Sequence, residues 1–272
     1  YSAGSLALAH NGNLVNAQTI RNELGKQGAI FQSTNDSEVI VHLMAQSKAE
    51  TFVDRAADAL GQVSGAYSLV LMTKNELVAA RDPHGFRPLC LGKLDGAYIV
   101  ASETCVMDLI EAEFIREVEP GELLLINDDG VQSFFPFKKV ATKHCVFEHI
   151  YFARPDSFLF GEDVYTARKD MGRAMAQESP ADVDLIVPVP DSGVVSAMGF
   201  AEESDIPFEM GLIRNHYVGR TFIEPQSQIR HFGVKLKLNP VKKIIAGKRI
   251  AIIDDSIVRG TTSRKIVKML RD

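Results

Sequence analysis

Tryptophan is absent from the 272 residues, and cysteine is scarce: Cys90, Cys105 and Cys145 stand apart with no CxxC pair. The missing Trp decides nothing about class. Three scattered thiols exclude a disulfide-stapled scaffold and point to a reducing compartment, the cytoplasm by default. No apolar run approaches the roughly 20 residues that span a bilayer. No basic start leads into an apolar core, so neither a membrane segment nor a signal peptide is expected. An excess of positive charge is also lacking. Lys and Arg number 30 against 35 Asp and Glu, a net charge of −5. That balance disfavours nucleic acid or an anionic membrane as partner, but it leaves room for a local anion site. The remainder is an ordinary globular mixture, 46% hydrophobic and 24% charged. It is long enough for one large domain or two ordinary ones.

The ends are abrupt. Tyr1 is not Met, residues 5–9 already read as the interior of a strand, and Asp272 closes the helix-like run RKIVKMLRD without a cap. The expectation is an internal piece of a longer protein. Between the ends the character changes once. Residues 5–9 read as a buried strand ending at His10, followed by a turn at Asn11-Gly12-Asn13, an N-G pair that tolerates positive φ. Helical spacing recurs over 15–26, 36–47 and 51–62. Short apolar runs then follow at 67–72, 77–80, 89–91, 98–101, 122–126 and 131–135, separated by Gly, Pro, Asp and Asn. These read as an antiparallel meander, with hairpin signals at Asp95-Gly96 and at 127–130. After about 140–145, near-continuous apolar strands at 184–189, 208–212 and 249–253 alternate with helices at 192–204 and 262–270. That alternation means a parallel sheet. The polar stretch 214–243 reads as a long functional loop. The expected domains are 1–141 and 142–272.

The most informative stretch is RIAIIDDSIVRGTTS, starting at Arg249. A hydrophobic strand stops at Asp254 and Asp255, and ligands of parallel α/β sheets sit beyond the carboxyl ends of strands. Two adjacent acids there repel unless a cation or hydroxyls face them. Ser256, Arg259, Gly260, Thr261, Thr262 and Ser263 then form a small, hydroxyl-rich turn into a helix. Such a turn aims backbone N–H groups and the positive helix end at an anion. Acids for sugar hydroxyls and Mg²⁺, together with N–H groups for a 5′-phosphate, match the two ends of a ribose phosphate. The bland alternative is a solvated turn with Thr261 or Thr262 as an N-cap. A second strand end, VPVP, leads into Asp191-Ser192-Gly193 and another helix, a turn that would also expose backbone N–H groups, with Ser192 as a simple N-cap the plain alternative.

The chain resembles the glutamine phosphoribosylpyrophosphate amidotransferases (amidophosphoribosyltransferases). The stretches that carry the resemblance are LALAHNGNLVNA, TNDSEVI, GAYSLVLMT, ARDPHGFRPL, ASETC, EVEPGE, FEHIYFARPDS, VPVPDSG, NHYVGRTFIEPQSQIR and IIDDSIVRGTTSRKIV, from residue 6 to residue 268. The resemblance implies α+β followed by α/β. A partial αββα sandwich of the N-terminal-nucleophile glutaminase kind comes first, then a partial doubly wound parallel sheet of the type I phosphoribosyltransferase kind. It implies an enzyme that releases ammonia from glutamine and uses it to displace diphosphate from phosphoribosyl diphosphate (PRPP). The products are 5-phosphoribosylamine, diphosphate and glutamate, in the first step of purine synthesis.

Carried onto this sequence, the resemblance makes Asn11 and Gly12 the oxyanion hole. Asp36 becomes the acid that holds the α-amino group of glutamine, with a helix N-cap as its plain alternative. Ser192, Asp254 and Asp255 become the Mg²⁺ and PRPP positions. Ser256 through Ser263 become the phosphate loop, and Arg220 a residue of a loop that closes over PRPP. Cys145 matches one of four ligands to a [4Fe–4S] cluster in one branch of the family, with the other three expected downstream of Asp272; other members lack a cluster, and a lone thiol is more often a small buried hydrophobe. The family's nucleophilic N-terminal cysteine and its Gly-His-x-Arg-Tyr segment are expected upstream of Tyr1. The remainder of the second sheet is expected downstream of Asp272. The resemblance further implies homo-oligomers and purine nucleotides as feedback inhibitors, with no nucleic acid or membrane partner.

Two other readings compete. One keeps the phosphoribosyltransferase without a glutaminase, and HNGN and TNDSE speak against it. The other is a PRPP-sensing regulator, which needs a DNA- or protein-binding module. No helix-turn-helix signal or basic face is visible here, and a winged helix upstream would decide for it.

Overall fold

The structure, a computed structural model, describes residues 4–215 and 238–271. It divides into two units. One comprises Tyr1–Glu148 and Ser157–Gly161, the other His149–Asp156 and Glu162–Asp272.

In the first unit, β1 (Ala7–Leu14) is followed by three helices, α1 (Ala17–Lys26), α2 (Glu38–Gln46) and α3 (Phe52–Leu60). Each helix buries one stripe. In α3, Phe52, Val53, Ala56, Ala59 and Leu60 are inside, and the Thr51 hydroxyl caps the helix by accepting from Asp54 N at 3.1 Å. The chain then forms β2 (Gly65–Met72), β3 (Leu77–Arg81), β4 (Cys90–Leu94), β5 (Ala97–Ala101), a short α4 (Cys105–Leu109), β6 (Glu113–Glu117), β7 (Leu123–Asn127), β8 (Gly130–Phe134) and the two-residue β9 (Phe158–Leu159).

Two antiparallel sheets result, ordered β1-β2-β3-β7-β8 and β5-β4-β6. Strand alternation sends Tyr67, Leu69 and Leu71 to the helices. On the opposite face, Ala79 and Leu124 meet Leu89, Leu91 and Val118 around the smaller sheet. Each fully buried Leu in these layers contributes about 1.5–3 kcal/mol. Gly92, next to Leu91, faces the other way, and a Cβ there would lie 2.5 Å from Met107 Sδ of α4. The layers are therefore helices, sheet, sheet and helix, and among the described residues the last layer is reduced to α4.

The expected single meander is thus two sheets. Both hairpins lie where their turn residues put them, at 95–96 and 127–130. The turn expected at Asn11-Gly12-Asn13 is not formed. These residues continue β1 opposite Ser68, Tyr67 and Ala66 of β2. An eight-residue ladder against a buried strand outweighs a two-residue turn preference. Neither α4 nor β6 is signalled by the apolar spacing of the sequence.

The second unit starts with one π-helical turn (Glu148–Phe152), shared at its first residue with the first unit, and continues through the two-residue β10 (Glu162–Asp163) into α5 (Val164–Glu178). Asp163 caps α5 by accepting from Thr166 N at 2.8 Å. Next come β11 (Leu185–Pro188), α6 (Val194–Ser204), β12 (Leu212–Arg214), β13 (Leu238–Pro240), α7 (Lys242–Ile245), β14 (Ile250–Ile253) and α8 (Thr261–Arg271). β11 and β14 pair in parallel, with Pro188 opposite Ile253.

Both faces of that pair are covered. Ile186 and Ile253 pack with Ala176, Ala197 and Phe200 of α5 and α6. Leu185, Val187 and Val189 pack with Leu212, Ile245 and Ile266. Two-sided burial is why these strands are continuously apolar. The expected strand at 208–212 is only a parallel bridge from Phe208 to Ile186. β12 instead pairs antiparallel with β13 in a separate ribbon. Among the described residues no helix is long and apolar enough to cross a membrane.

Candidate functional site

In the first unit a cleft of about 450 Å³ is lined by His10 and Gly12 of β1, by Ser33, Asn35, Asp36 and Ser37, and by Glu38 at the start of α2. Asp36 is not the N-cap of α2. Its Oδ2 accepts the backbone N–H of Leu14 at 2.8 Å, tying the loop to β1. Its Oδ1 lies 3.5 Å from His10 Nδ1, and that nitrogen lies 2.7 Å from Ser37 Oγ. Burial alone would raise the Asp36 pKa. The Leu14 N–H, the His10 charge and Ser37 outweigh it, so Asp36 is held below the usual carboxylate range.

Glu38 is also lowered, to about 2, chiefly because the Gln32 N–H donates to it at 2.7 Å, with Ser33 adding two more hydrogen bonds. Those bonds commit Glu38 to its loop, so Asp36 is the carboxylate with capacity left for a cationic group. Gly12 has no room for a side chain. A Cβ would lie 2.1 Å from Ala66 O and 2.7 Å from His10 Nε2.

Asn11 stands next in β1. Its Oδ1 accepts from Arg87 Nε at 3.1 Å and Nη2 at 3.0 Å. Arg87 Nη1 lies 2.7 Å from Oε1 of Glu148, a carboxylate only 3% exposed. That approach is electrostatic rather than a well-aligned hydrogen bond, since Oε1 has no hydrogen-bond partner. Burial raises the Glu148 pKa, Arg87 pulls it back, and the Glu103 charge adds to the rise.

In the second unit the expected ribose-phosphate residues gather at the carboxyl ends of β11 and β14. Val189 N donates to Ile253 O at 2.8 Å. A Cβ on Gly193 would lie 2.4 Å from that same carbonyl and 3.2 Å from Asp254 Cα, so glycine lets the 191–193 turn lie against the end of β14. The turn contains a cis peptide between Pro190 and Asp191. Ser192 is not an N-cap, because the capping position of α6 is Gly193 and no side chain caps it. Asp191 pairs with Arg214 at the end of β12.

Asp254 Oδ1 accepts from Asp255 N at 3.0 Å, and the Ser256 hydroxyl donates to Asp255 Oδ1. Burial, and then the Asp255 charge, raise the Asp254 pKa. Neither Thr261 nor Thr262 caps α8, since the helix already opens at Thr261. Ser263 is half-buried and Arg259, Thr261 and Thr262 are exposed around the loop, with Gly260 at φ +66°. Arg220 lies outside the described residues.

Cys145 is half-buried. Its N–H donates to Phe86 O at 3.0 Å. Among the described residues no three His, Cys, Asp or Glu side chains gather as a metal cluster.

Sequence reading had given no role to His10, Arg87, Glu148 or Arg214. The first three lie inside stretches that carried the resemblance. Their partners, however, are distant along the chain, 76 residues in the case of Asn11 and Arg87, and periodicity carries no signal at that range.

A family model described as a glutamine amidotransferase domain matches residues 1–108. The amidophosphoribosyltransferase 1, chloroplastic, of Arabidopsis thaliana is 55% identical over 273 residues, covering 100% of this chain and 48% of that protein. The amidophosphoribosyltransferase of Bacillus subtilis is 50% identical over 269 residues, covering 99% of this chain and 56% of that protein. A solved structure described as the glutamine PRPP amidotransferase of B. subtilis complexed with ADP and GMP superposes with a TM-score of 0.93 at 49% identity. It covers 100% of this chain and 60% of that one. Along its full length, this chain belongs with the amidophosphoribosyltransferases. The first unit accordingly has the N-terminal-nucleophile glutamine amidotransferase fold. The chain spans about half the length of the curated relatives it matches.

Proposed function

We propose that the protein to which these residues belong transfers ammonia from glutamine to PRPP, yielding 5-phosphoribosylamine, diphosphate and glutamate at the start of purine synthesis. We assign the glutaminase to residues 1–141 and a type I phosphoribosyltransferase, a partial doubly wound parallel sheet, to residues 142–272. The nearby division of the chain at Glu148 supports this assignment.

One observation carries the reading: the carboxylate kept ionised at Asp36 shares a cleft with Gly12, next to Asn11. A low-pKa acid suits the α-ammonium of an amino acid. Asn11 and Gly12 are the donors for the oxyanion that develops on the amide carbon, and each such donor is worth about 3 kcal/mol. Asn11 Nδ2 is the end of the amide that Arg87 leaves for this task.

In the second half, Asp254 and Asp255 face the ribose hydroxyls, and the loop Ser256–Ser263 surrounds the 5′-phosphate. The resemblance assigns Arg220 to the diphosphate. The raised pKa of Asp254 beside a second carboxylate fits a cation or hydroxyl partner. Asp254, Asp255 and the Ser192 hydroxyl would hold Mg²⁺. Few protein ligands suit an ion that keeps water and substrate phosphates. When bound, the ion neutralises charge on the departing diphosphate.

Homo-oligomers and feedback by purine nucleotides belong to this reading, and the B. subtilis complex with ADP and GMP supports the latter. Free thiols at Cys90, Cys105 and Cys145 fit a reducing compartment, and we place the protein in the cytoplasm.

The test gives the full-length protein glutamine labelled with ¹⁵N at the amide, PRPP and Mg²⁺. Label in the aminated sugar phosphate, with glutamate and diphosphate formed in equal amounts, is the expected result. Diphosphate release from free ammonia with glutamine left intact would overturn it in favour of a phosphoribosyltransferase without glutaminase.

A further inference from the structure

We propose that Arg87 is the positioning residue of the glutaminase site: it locks the Asn11 amide in the one orientation that presents an N–H to the oxyanion. The inference rests on the reading of Asn11 as an oxyanion donor.

An Asn side chain has a donor end and an acceptor end, and half a turn about χ2 exchanges them. Only the donor end stabilises a developing oxyanion, and the flipped amide would repel it. Arg87 decides between the two. A guanidinium has five N–H groups and no acceptor. Two of them, on Nε and Nη2, converge on Asn11 at 3.1 and 3.0 Å. Whatever faces that fork must be Oδ1, so Nδ2 must point away from it. The positive charge on the oxygen also polarises the amide and strengthens its N–H as a donor.

The backbone of Arg87 is itself held in place. Its carbonyl accepts from Arg81 Nε at 2.9 Å and from Ser68 Oγ at 3.1 Å. The turn before it is fixed by the buried Asp82, whose carboxylate accepts from the N–H groups of Tyr67, His84 and Phe86. The third guanidinium nitrogen lies 2.7 Å from the buried Glu148 carboxylate, which offsets the charge. Lysine could not do the same, because a single ammonium has no planar fork.

The test measures glutamate release and, separately, ammonia-dependent PRPP turnover in the full-length protein. The variants are Asn11→Ala, Arg87→Gln, Arg87→Lys and the double variant Asn11→Ala/Arg87→Gln. Arg87→Gln is expected to lower kcat for glutamate release by about 30-fold, with KM for glutamine within about threefold, since the lost interaction acts in the transition state. Ammonia-dependent turnover should stay at the parent value. The double variant should be no slower than Asn11→Ala alone, because the effect of Arg87 passes through Asn11. Arg87→Lys should recover only part of the loss.

A kcat for Arg87→Gln within twofold of the parent, or losses that multiply in the double variant, would overturn the proposal while leaving Asn11 its role. Unimpaired glutamate release by Asn11→Ala would instead remove the oxyanion reading, and the proposal with it. If Arg87→Gln does not fold, the same cycle run with Arg87→Lys decides, with non-additivity expected and additivity overturning.

Discussion

Asp36 in the first unit and Asp254 in the second are both partly withdrawn from water, yet their surroundings pull them in opposite directions. Around Asp36 the protein has supplied what an anion needs: the Leu14 N–H, the Ser37 hydroxyl and the His10 ring. Around Asp254 it has added a second carboxylate and little to balance it. The first site is prepared before any ligand arrives. The second carries two adjacent carboxylates with the Asp254 pKa raised, and on the function proposed above a cation would complete it. A prepared site keeps its geometry at the cost of rigidity. An incomplete one lets the ligand supply the stabilisation, which couples binding to local order.

That contrast is open to direct attack. The largest effect should come from Asp254→Asn combined with Asp255→Asn in the full-length protein. PRPP turnover should fall by about a thousandfold, measured as diphosphate release. Next is Gly12→Ala, whose Cβ meets the Ala66 carbonyl at 2.1 Å. Denaturant unfolding should report a loss of about 3 kcal/mol in the first unit, together with lost glutamate release. Asp36→Asn should raise KM for glutamine by about 30-fold, the worth of one charge-assisted contact, and leave ammonia-dependent turnover unchanged.

The smallest effect is in stability, and it has opposite signs at the two sites. A carboxylate whose folded pKa is lowered stabilises the fold above its unfolded pKa, and that contribution is lost as pH falls through the folded value. Asp36 should behave so, and Asp36→Asn should cost most near neutrality. A carboxylate whose folded pKa is raised penalises the fold once it ionises. Asp254→Asn should therefore raise Tm by about 1–3 °C at pH 7 without Mg²⁺, and the gain should vanish at pH values below the unfolded carboxylate range. Differential scanning calorimetry across pH reads both.

The two units also differ in how far their sequences disclosed them. The second was legible as a parallel pair with ligand loops because local features define it: apolar strands at 185–188 and 250–253, each stopping at an acid-bearing turn. In the first unit the helices at 17–26, 38–46 and 52–60 were legible from their buried stripes. The HNGN segment was misread as a turn, because its strand character comes from pairing with residues 65–72, far along the chain. A helix cap stood as the plain alternative for Asp36 because its backbone partner, Leu14 N, is equally non-local. Arg87 and Glu148 were invisible as a unit for the same reason. Local chemistry gave the kinds of residue present, while the tertiary register determined which of them act together.

The contrast between a prepared site and an incomplete one reduces to a single measurement. The full-length protein is stripped of divalent ions with a chelator. Glutamate release from glutamine and diphosphate release from PRPP with ammonia are then followed side by side. The account predicts that diphosphate release stops and returns with added Mg²⁺, while glutamate release continues. Diphosphate release that survives the chelator, or glutamate release that stops with it, would contradict the account.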